Sequence, residues 1–358
     1  MDASGGAIMS RRMSCRGARG RGVRVAAALA LLASTVGVAN GNKEALAAPN
    51  FITLAFYMAG ETPATATLRG CDEGNIAAST PGFQEFMPFL HFGGPRMSGS
   101  SARASNWNLL DYTMAQVQAV AFAFAQGFVY CATSGGDTTS IVSLVIATSN
   151  DASGVSGANI TSHATQWGNM VNALHTQLKA QSWGSRAGAF AGTNVEPGFT
   201  WAVTDSLTWI NQVRSVVPRT FVSNPTAFCP TSGTYTGSTA CGSGWIANDV
   251  ISVSYAPGSG SLALMQPVPQ IYGSSYRERW YRLSDYLSTA TPFGRIPFRG
   301  VMTQWRACQQ IGCSTYYPTT GFDELQNKIW SDPDTTFNIP PAMLDIRWSN
   351  LSGSGATP

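Results

Sequence analysis

Short apolar runs alternate with segments of helical periodicity along most of the chain. Continuous apolar runs are typical of strands buried on both faces, whereas apolar residues at i, i+3, i+4 and i+7 predict helices. The pattern predicts eight strands, over residues 51–58, 140–150, 187–196, 220–225, 250–256, 268–272, 298–305 and 342–348. Helices are predicted over residues 109–130, 162–181, 203–213, 275–287 and 321–330.

Eight strands mostly separated by helices predict an α/β fold, a single (β/α)8 TIM-type barrel. Residues 59–105 form a long insertion punctuated by Gly and Pro. A doubly wound sheet is the alternative, but that fold would favour a G-x-G-x-x-G turn after the first strand. Residues 57–70 contain no such turn, so the barrel is the preferred interpretation.

The first 47 residues have the pattern of a secretory signal peptide. Six arginines between Arg11 and Arg24 precede the apolar run 25–39, and small residues suited to cleavage end at Ala39 and at Ala47. We expect a signal peptide over 1–47 and a barrel domain over 48–358, with an uncleaved membrane anchor as the alternative. No later segment approaches ~18 consecutive apolar residues, so no membrane span is expected in the mature chain.

Removing this leader changes the charge of the chain. The first 47 residues hold seven of the 22 Lys and Arg and two of the 19 Asp and Glu, which leaves 15 basic and 17 acidic residues. The mature chain therefore carries a net charge of −2 and has no cluster of cations suited to nucleic acid. We expect a secreted monomer without a nucleic-acid partner.

Six cysteines remain after the leader, and an even number in an exported chain predicts disulfides that pin loops. Proximity in sequence favours Cys229–Cys241 and Cys308–Cys313, which leaves Cys71–Cys131, although six cysteines allow fifteen pairings. Zinc is the rival interpretation. It is disfavoured because the chain has no C-x2-C pair and its three histidines lie far from the cysteines. No metal and no cofactor are predicted.

In a barrel of this type, functional residues lie at the carboxyl ends of the strands. Here those ends are rich in amides and aromatics, which bind the hydroxyls and apolar faces of sugar rings better than they bind phosphate. We expect six of them to bind substrate: Asn150, Tyr255, Gln270, Tyr272, Gln304 and Trp305. Tyr57, Asn224 and Trp348 also end predicted strands.

Glu196 is the candidate catalytic acid, with Asn194 beside it to orient the substrate or the carboxyl. It follows an apolar strand, where burial would raise its pKa, and Pro197 stiffens the turn behind it. Glycoside hydrolysis usually needs a second carboxylate. The candidates are Asp151, Asp249 and Asp345, and none of them stands out from the sequence.

Several short segments occur in the order found in a known family. They are "IATSN" (146–150), "SHATQWGNMVNAL" (162–174), "GTNVEP" (192–197), "CGSGW" (241–245), "VSYAPG" (253–258), "PQIY" (269–272) and "TQWRACQQIGC" (303–313). Together they resemble a largely uncharacterised family of secreted actinobacterial proteins with a glycoside-hydrolase-like TIM barrel. The resemblance covers roughly residues 51–348. It implies an exported barrel with disulfide-pinned loops and an acid corresponding to Glu196, but no established reaction. Where the family segment has an acidic residue between Asn and Glu, this chain has Val195.

The sequence therefore predicts a secreted glycoside-hydrolase-like protein that acts on a polysaccharide or cell-wall glycan, with Glu196 as general acid/base. The alternative is a non-catalytic extracellular glycan-binding or envelope protein on the same barrel. The missing second carboxylate and Val195 favour this alternative.

Overall fold

A curled, barrel-like parallel sheet flanked by helices forms the centre of the protein. It is seen in a computed structural model that describes residues 51–106, 110–152, 154–260, 262–290, 294–340 and 342–349. The predicted signal peptide, residues 1–47, lies outside the described residues. The strands are β1 (Thr53–Tyr57), β2 (Glu85–Phe86), β3 (Phe89–His91), β4 (Gly94–Ser98), β5 (Ser101–Ser105), β6 (Asp111–Thr113), β7 (Ile141–Ser149), β8 (Ala187–Val195), β9 (Phe221–Pro225), β10 (Met265–Pro267), β11 (Val301–Thr303) and β12 (Met343–Trp348).

The helices follow most strands, as the alternating pattern predicts. They are α1 (Pro63–Ser79), α2 (Met114–Ser134), α3 (Ala158–Lys179), α4 (Val203–Val216), α5 (Ala247–Ser254), α6 (Ser274–Ala290), α7 (Trp305–Ile311) and α8 (Pro318–Trp330). Thr62 caps α1 and Thr113 caps α2, each within a capping box that satisfies the first free backbone N–H groups. Of the described helices, α2 is long and apolar enough to cross a membrane, and 56% of that window is buried inside the fold.

The main sheet runs in the order β10-β9-β8-β7-β3-β1-β12-β11, and all of its pairs are parallel. Three further backbone hydrogen bonds link the segment around β10 to β11: Arg299 N–H to Pro267 O, Met302 N–H to Pro269 O and Ile271 N–H to Met302 O, at 2.8–2.9 Å. Strands β4, β5 and β6 form a separate antiparallel sheet.

Two apolar cores lie on the two sides of the main sheet. The larger core fills the convex side, between the strands and the helices. The smaller core joins residues of strands that are distant in the sheet order, such as Ala55, Val222 and Met302, so it lies on the concave side. Gly192 belongs to this side because a Cβ there would lie 2.4 Å from Val145 Cγ1 and 2.8 Å from Val222 O.

The structure corrects three of the predicted elements. Residues 250–256, predicted as a strand, lie mainly in helix α5, which buries Val250, Ile251 and Val253 against the convex side. The predicted insertion over 59–105 contains α1 and the short strand β3, which takes a central place between β7 and β1. The strand predicted over 268–272 is displaced, since β10 ends at Pro267 and Gln270 forms an isolated bridge with Met302. The main sheet has nine strands against the eight predicted, because β2 also pairs with β7.

Three disulfides join the six cysteines, and the pairing expected from proximity in sequence is confirmed. Cys71–Cys131 joins α1 to α2, while Cys229–Cys241 and Cys308–Cys313 close loops that follow β9 and β11. Disulfides persist in oxidising compartments, and three of them indicate that the chain folds in one.

Candidate functional site

The Glu196 side chain lies just beyond the carboxyl end of β8, where the sequence predicts an acid. Its Oε1 accepts hydrogen bonds from Asn194 Nδ2 at 3.1 Å and from Gln270 Nε2 at 3.4 Å. Burial raises the pKa of Glu196, and the two amide hydrogen bonds oppose this because they favour the ionised form. Oε2 has no hydrogen-bond partner among the described residues, so this oxygen is available to a ligand.

Asn150, at the end of the neighbouring strand β7, holds the backbone of Glu196 in place. Its Nδ2 donates to Glu196 O at 3.1 Å, and its Oδ1 accepts from Glu196 N–H at 3.0 Å. The side-chain amide thus extends the pairing of β7 with β8 by one step. Asn150 is buried and does not line the pocket described below. Its contacts are those of a residue that positions Glu196.

A network of amides connects the ends of three adjacent strands around Glu196. Gln270 Nε2 donates to Asn194 Oδ1 at 2.8 Å and to Asn224 Oδ1 at 3.1 Å. Since this nitrogen has two hydrogens, its longer contact with Glu196 is the weakest of the three. Gln270 Oε1 accepts from the Thr226 hydroxyl. The network fixes the amides, and with them the orientation of the Glu196 carboxyl.

Glu196 opens into a pocket of about 270 Å³. Five of the predicted site residues line it, namely Asn194, Glu196, Gln270, Tyr272 and Gln304. Its other lining residues are mostly apolar or aromatic: Tyr57, Thr226, Phe228, Tyr276, Ala307, Ile311, Ile346 and Trp348. Among the described residues that line the pocket, Glu196 is the only carboxylate. The pocket therefore combines one acid with amides and aromatic rings.

Tyr57 forms part of the aromatic side of the pocket. Its ring lies 4.6 Å from the His91 ring and 5.1 Å from the Trp348 ring, measured between centroids. Its hydroxyl lies 3.4 Å from Asn194 Nδ2. Burial raises the pKa of Tyr57, and the charge of Glu196 raises it further, so the phenol stays protonated at neutral pH. Burial also raises the pKa of Tyr272. Both side chains therefore stay in the phenol form at neutral pH.

The three candidate second carboxylates all have partners outside the pocket. Asp345 accepts from Thr303 Oγ1, Trp305 N–H and Arg306 N–H at 2.7–2.9 Å, so it caps α7. Asp249 Oδ2 accepts from Ile246 N–H at the start of α5. Asp151 Oδ1 accepts from Thr200 Oγ1 at 2.6 Å. None of them lines the pocket beside Glu196.

Besides Asn150, two more of the predicted substrate-binding residues lie outside the pocket, Tyr255 and Trp305. Tyr255 ends α5 and lines a different cavity of about 470 Å³, together with Arg295, Asp334 and Phe337. Trp305 begins α7, and its ring packs against Tyr317 at 5.1 Å. His163 is a core residue that accepts from Trp209 Nε1 and contacts Arg103 O. Among the described residues, no group of three or more His, Cys, Asp or Glu side chains could hold a metal ion.

Several pocket residues were not among the predicted site residues. Tyr57 and Trp348 end the predicted strands β1 and β12, so the strand-end rule that found Gln270 also points to them. Phe228, Tyr276 and Ile311 lie on loops or helices, and no local pattern in the sequence indicates that they reach the pocket. Comparisons with family models, with curated proteins and with solved structures found no match for this chain.

Proposed function

We propose that this protein acts on a polysaccharide or cell-wall glycan and that Glu196 is the general acid/base. The observation that carries the proposal is the half-buried Glu196 carboxyl, which opens into a pocket of amides and aromatic rings. Burial raises the pKa of this carboxyl. A carboxyl with a raised pKa keeps its proton closer to neutral pH and can donate it to the leaving oxygen of a glycosidic bond.

The residues around Glu196 suit both halves of such a proton transfer. The protonated carboxyl would give its proton to the glycosidic oxygen as the bond to the sugar carbon breaks. Asn194 and Gln270 would then stabilise the carboxylate that remains, because both donate hydrogen bonds to Oε1. Tyr57, Tyr272 and Trp348 would pack against the sugar ring, and the amides would bind its hydroxyls.

A single acid restricts how the other half of the reaction proceeds. Most glycosidases use a second carboxylate as nucleophile or base, but substrate-assisted enzymes use a group on the sugar instead. Since Glu196 is the only carboxylate among the described pocket residues, sugars with a 2-acetamido group belong among the substrates tested. Such a group attacks the sugar carbon as Glu196 protonates the leaving oxygen, and water later opens the cyclic intermediate.

The proposal extends to the fold and the location of the protein. We interpret the sheet as a closed (β/α)8 barrel, because backbone hydrogen bonds link the β10 segment to β11. The pocket would then lie at the carboxyl ends of the strands, where barrel enzymes have their active sites. The three disulfides support export, with residues 1–47 as signal peptide. The resemblance to secreted actinobacterial proteins is part of this proposal.

The test compares wild type with Glu196→Gln on cell-wall and plant-type glycans, with and without 2-acetamido sugars. We expect wild type to release reducing ends and Glu196→Gln to lower the rate by about 10²–10⁴-fold. Asp151→Asn changes a carboxylate near the end of β7 that does not line the pocket, so it should keep nearly full activity. Equal inertness of wild type and Glu196→Gln on every glycan would defeat the enzymatic proposal.

A second candidate function is glycan binding without cleavage, in an extracellular or envelope protein. The presence of one carboxylate among the described pocket residues favours it. It predicts that wild type and Glu196→Gln bind the same glycans on an array and that neither releases product. Loss of binding in Gln270→Ala and Tyr272→Ala would place that binding in this pocket. An array without any ligand would count against this candidate.

A further inference from the structure

Two exposed apolar side chains, Phe228 and Ile311, lie at the mouth of the pocket. Single exposed apolar residues are common on proteins, but a group of them beside a pocket marks a binding surface. Phe228 is 40% exposed and Ile311 is 59% exposed, and both also line the pocket. The mouth thus offers water-exposed apolar surface that continues from the pocket lining.

A disulfide fixes the side of the mouth that carries Phe228. Phe228 directly precedes Cys229, which is bonded to Cys241. Gly242 packs closely against it, since a Cβ at Gly242 would lie 3.3 Å from Phe228 Cβ. Arg279 Nη1 also donates to the carbonyl of Ala227 at 3.3 Å. Phe228 is therefore held in place although its ring is partly exposed.

A second disulfide fixes the side that carries Ile311. Ile311 lies inside the loop closed by Cys308–Cys313. Its neighbour Gln310 forms two hydrogen bonds with the backbone of Trp348, at 2.9 and 3.0 Å. These bonds tie the loop to the end of β12. Two separate disulfides thus fix the segments that carry two exposed apolar residues of the same pocket.

The pocket itself has room for only a small ligand. Its volume of about 270 Å³ lies just below the range of about 300–1,000 Å³ that is usual for sites enclosing drug-sized molecules. A ligand made of several sugar rings would have to leave rings outside the pocket. Those rings would meet the mouth, where Phe228 and Ile311 offer apolar surface.

We infer that the ligand is a glycan chain of several rings, and that Phe228 and Ile311 bind the rings that extend beyond the pocket. This inference rests on the proposed function, and it adds the class of ligand, an oligomer in place of a single sugar. Binding to a fixed side chain costs less conformational entropy than binding to a mobile one, because the fixed side chain is already ordered before the ligand arrives. The disulfides supply that order in advance.

The experiment measures affinity against chain length for the full exported protein. The probes are β-1,4-linked oligomers of glucose and of N-acetylglucosamine with one to six rings, measured by ligand-observed NMR and calorimetry. We expect affinity to rise about tenfold or more between one ring and four rings in at least one series, which corresponds to about 1.4 kcal/mol.

Variants at the mouth assign this rise to the two side chains. Phe228→Ala and Ile311→Ala should each remove part of it, and the double variant most of it, because each lowers the four-ring affinity more than the one-ring affinity. Phe228→Tyr keeps the ring and should keep the rise. The matched controls are Phe83→Ala and Leu68→Ala, which change similarly exposed side chains that do not line the pocket. They should behave as wild type. Thermal unfolding checks that every variant folds.

The remaining outcomes distinguish a failure of this inference from a failure of the proposed function. If affinity is the same for one ring and for six, or if the rise survives both mouth variants, the inference is wrong and the proposed function stands. If the folded protein binds neither series at any length and also has no ligand on the glycan panel, both are wrong.

Discussion

Glu196 lies at the rim of the concave side of the sheet and Asp345 lies on the convex side, and burial raises the pKa of both carboxyls. Their surroundings differ. Asp345 accepts three hydrogen bonds, two of them from the backbone at the start of α7. Glu196 accepts only from side-chain amides and has one oxygen open to a ligand. Burial is therefore common to a structural carboxylate and to a candidate catalytic one, and the partners distinguish them.

A third carboxyl, Glu73 of α1, extends the comparison on the convex side. It is buried, and its Oε1 accepts from Leu54 N–H at 3.2 Å, below the point where β3 begins to pair with β1. Its Oε2 has no hydrogen-bond partner among the described residues. Burial raises the pKa of Glu73 to about 8, against the hydrogen bond from Leu54 and the charge of Arg306. Burial thus favours the protonated form of Glu73.

The largest stability effect is expected from Asp345→Ala. All three partners of Asp345 are donors, and Arg306 Nε lies 3.8 Å from its Oδ2, so removing the carboxylate leaves these groups unpaired. We expect the free energy of unfolding to fall by about 3–5 kcal/mol, measured by denaturant titration. As a control, Asp249→Ala removes a less buried helix cap and should cost about 1 kcal/mol.

The comparison requires a different result at Glu196. Glu196→Gln keeps the size of the side chain in an open pocket and should change the free energy of unfolding by less than about 1 kcal/mol. If Glu196→Gln destabilised the protein as strongly as Asp345→Ala, Glu196 would be a structural carboxylate and the distinction would fail.

Glu73→Gln should change how stability depends on pH. The folded pKa of about 8 lies above the ordinary value of 4.5. Between these two values the folded state binds more protons than the unfolded state, so stability falls as pH rises. The variant lacks this contribution. Its stability relative to wild type should therefore increase by about 1.4 kcal/mol per pH unit between about pH 5 and pH 8, then level off.

Chemical denaturation at several pH values measures this difference. The nearby charges of Arg306, Arg347 and Asp72 act on Glu73 in wild type but are shared by both proteins. Parallel stability curves for wild type and Glu73→Gln would mean that Glu73 titrates normally.

Most of the main sheet could be predicted from the sequence because parallel strands buried on both faces are continuous apolar runs. Strand β3 was not predicted from the sequence because it has only three residues, Phe89–His91, and lies between Pro and Gly positions. The run over 250–256 is rich in Val and Ile and suggests a strand. Tertiary packing and the Asp249 cap make it a helix.

The part of the candidate site that lies at strand ends could also be predicted from the sequence. Asn194, Glu196 and Gln270 come at or just after the carboxyl ends of strands. These ends lie at the same edge of a parallel sheet, so the three side chains are close together. Phe228 lies on a loop and Ile311 ends α7, and the course of both segments depends on disulfides and on contacts distant in sequence. Tyr255 was expected at the pocket because its segment was interpreted as a strand. It ends a helix and lies at a different cavity.

The smallest expected effect is a shift in pH profile caused by Asn194→Ala. The hydrogen bond from Asn194 lowers the pKa of Glu196, so its loss raises that pKa further. An acid must be protonated to act, and activity is lost as pH rises through its pKa. The alkaline limb of the rate against pH should therefore move to higher pH in Asn194→Ala, even though the rate itself falls.

This shift tests most directly whether Asn194 tunes the pKa of Glu196. If Asn194 had a purely structural role, its loss would lower the rate without moving the alkaline limb of the pH profile. The control is Thr226→Val, which removes the hydroxyl that donates to Gln270 and leaves the Asn194 contact with Glu196 in place. Its limb should stay near that of wild type. A limb that moves to lower pH in Asn194→Ala would show that the amide does not stabilise the ionised carboxyl. The pKa of Glu196 would then depend on its solvent exposure more than on its hydrogen-bond partners. Glu196 and Asp345 would then differ only in how accessible their carboxyls are to a ligand.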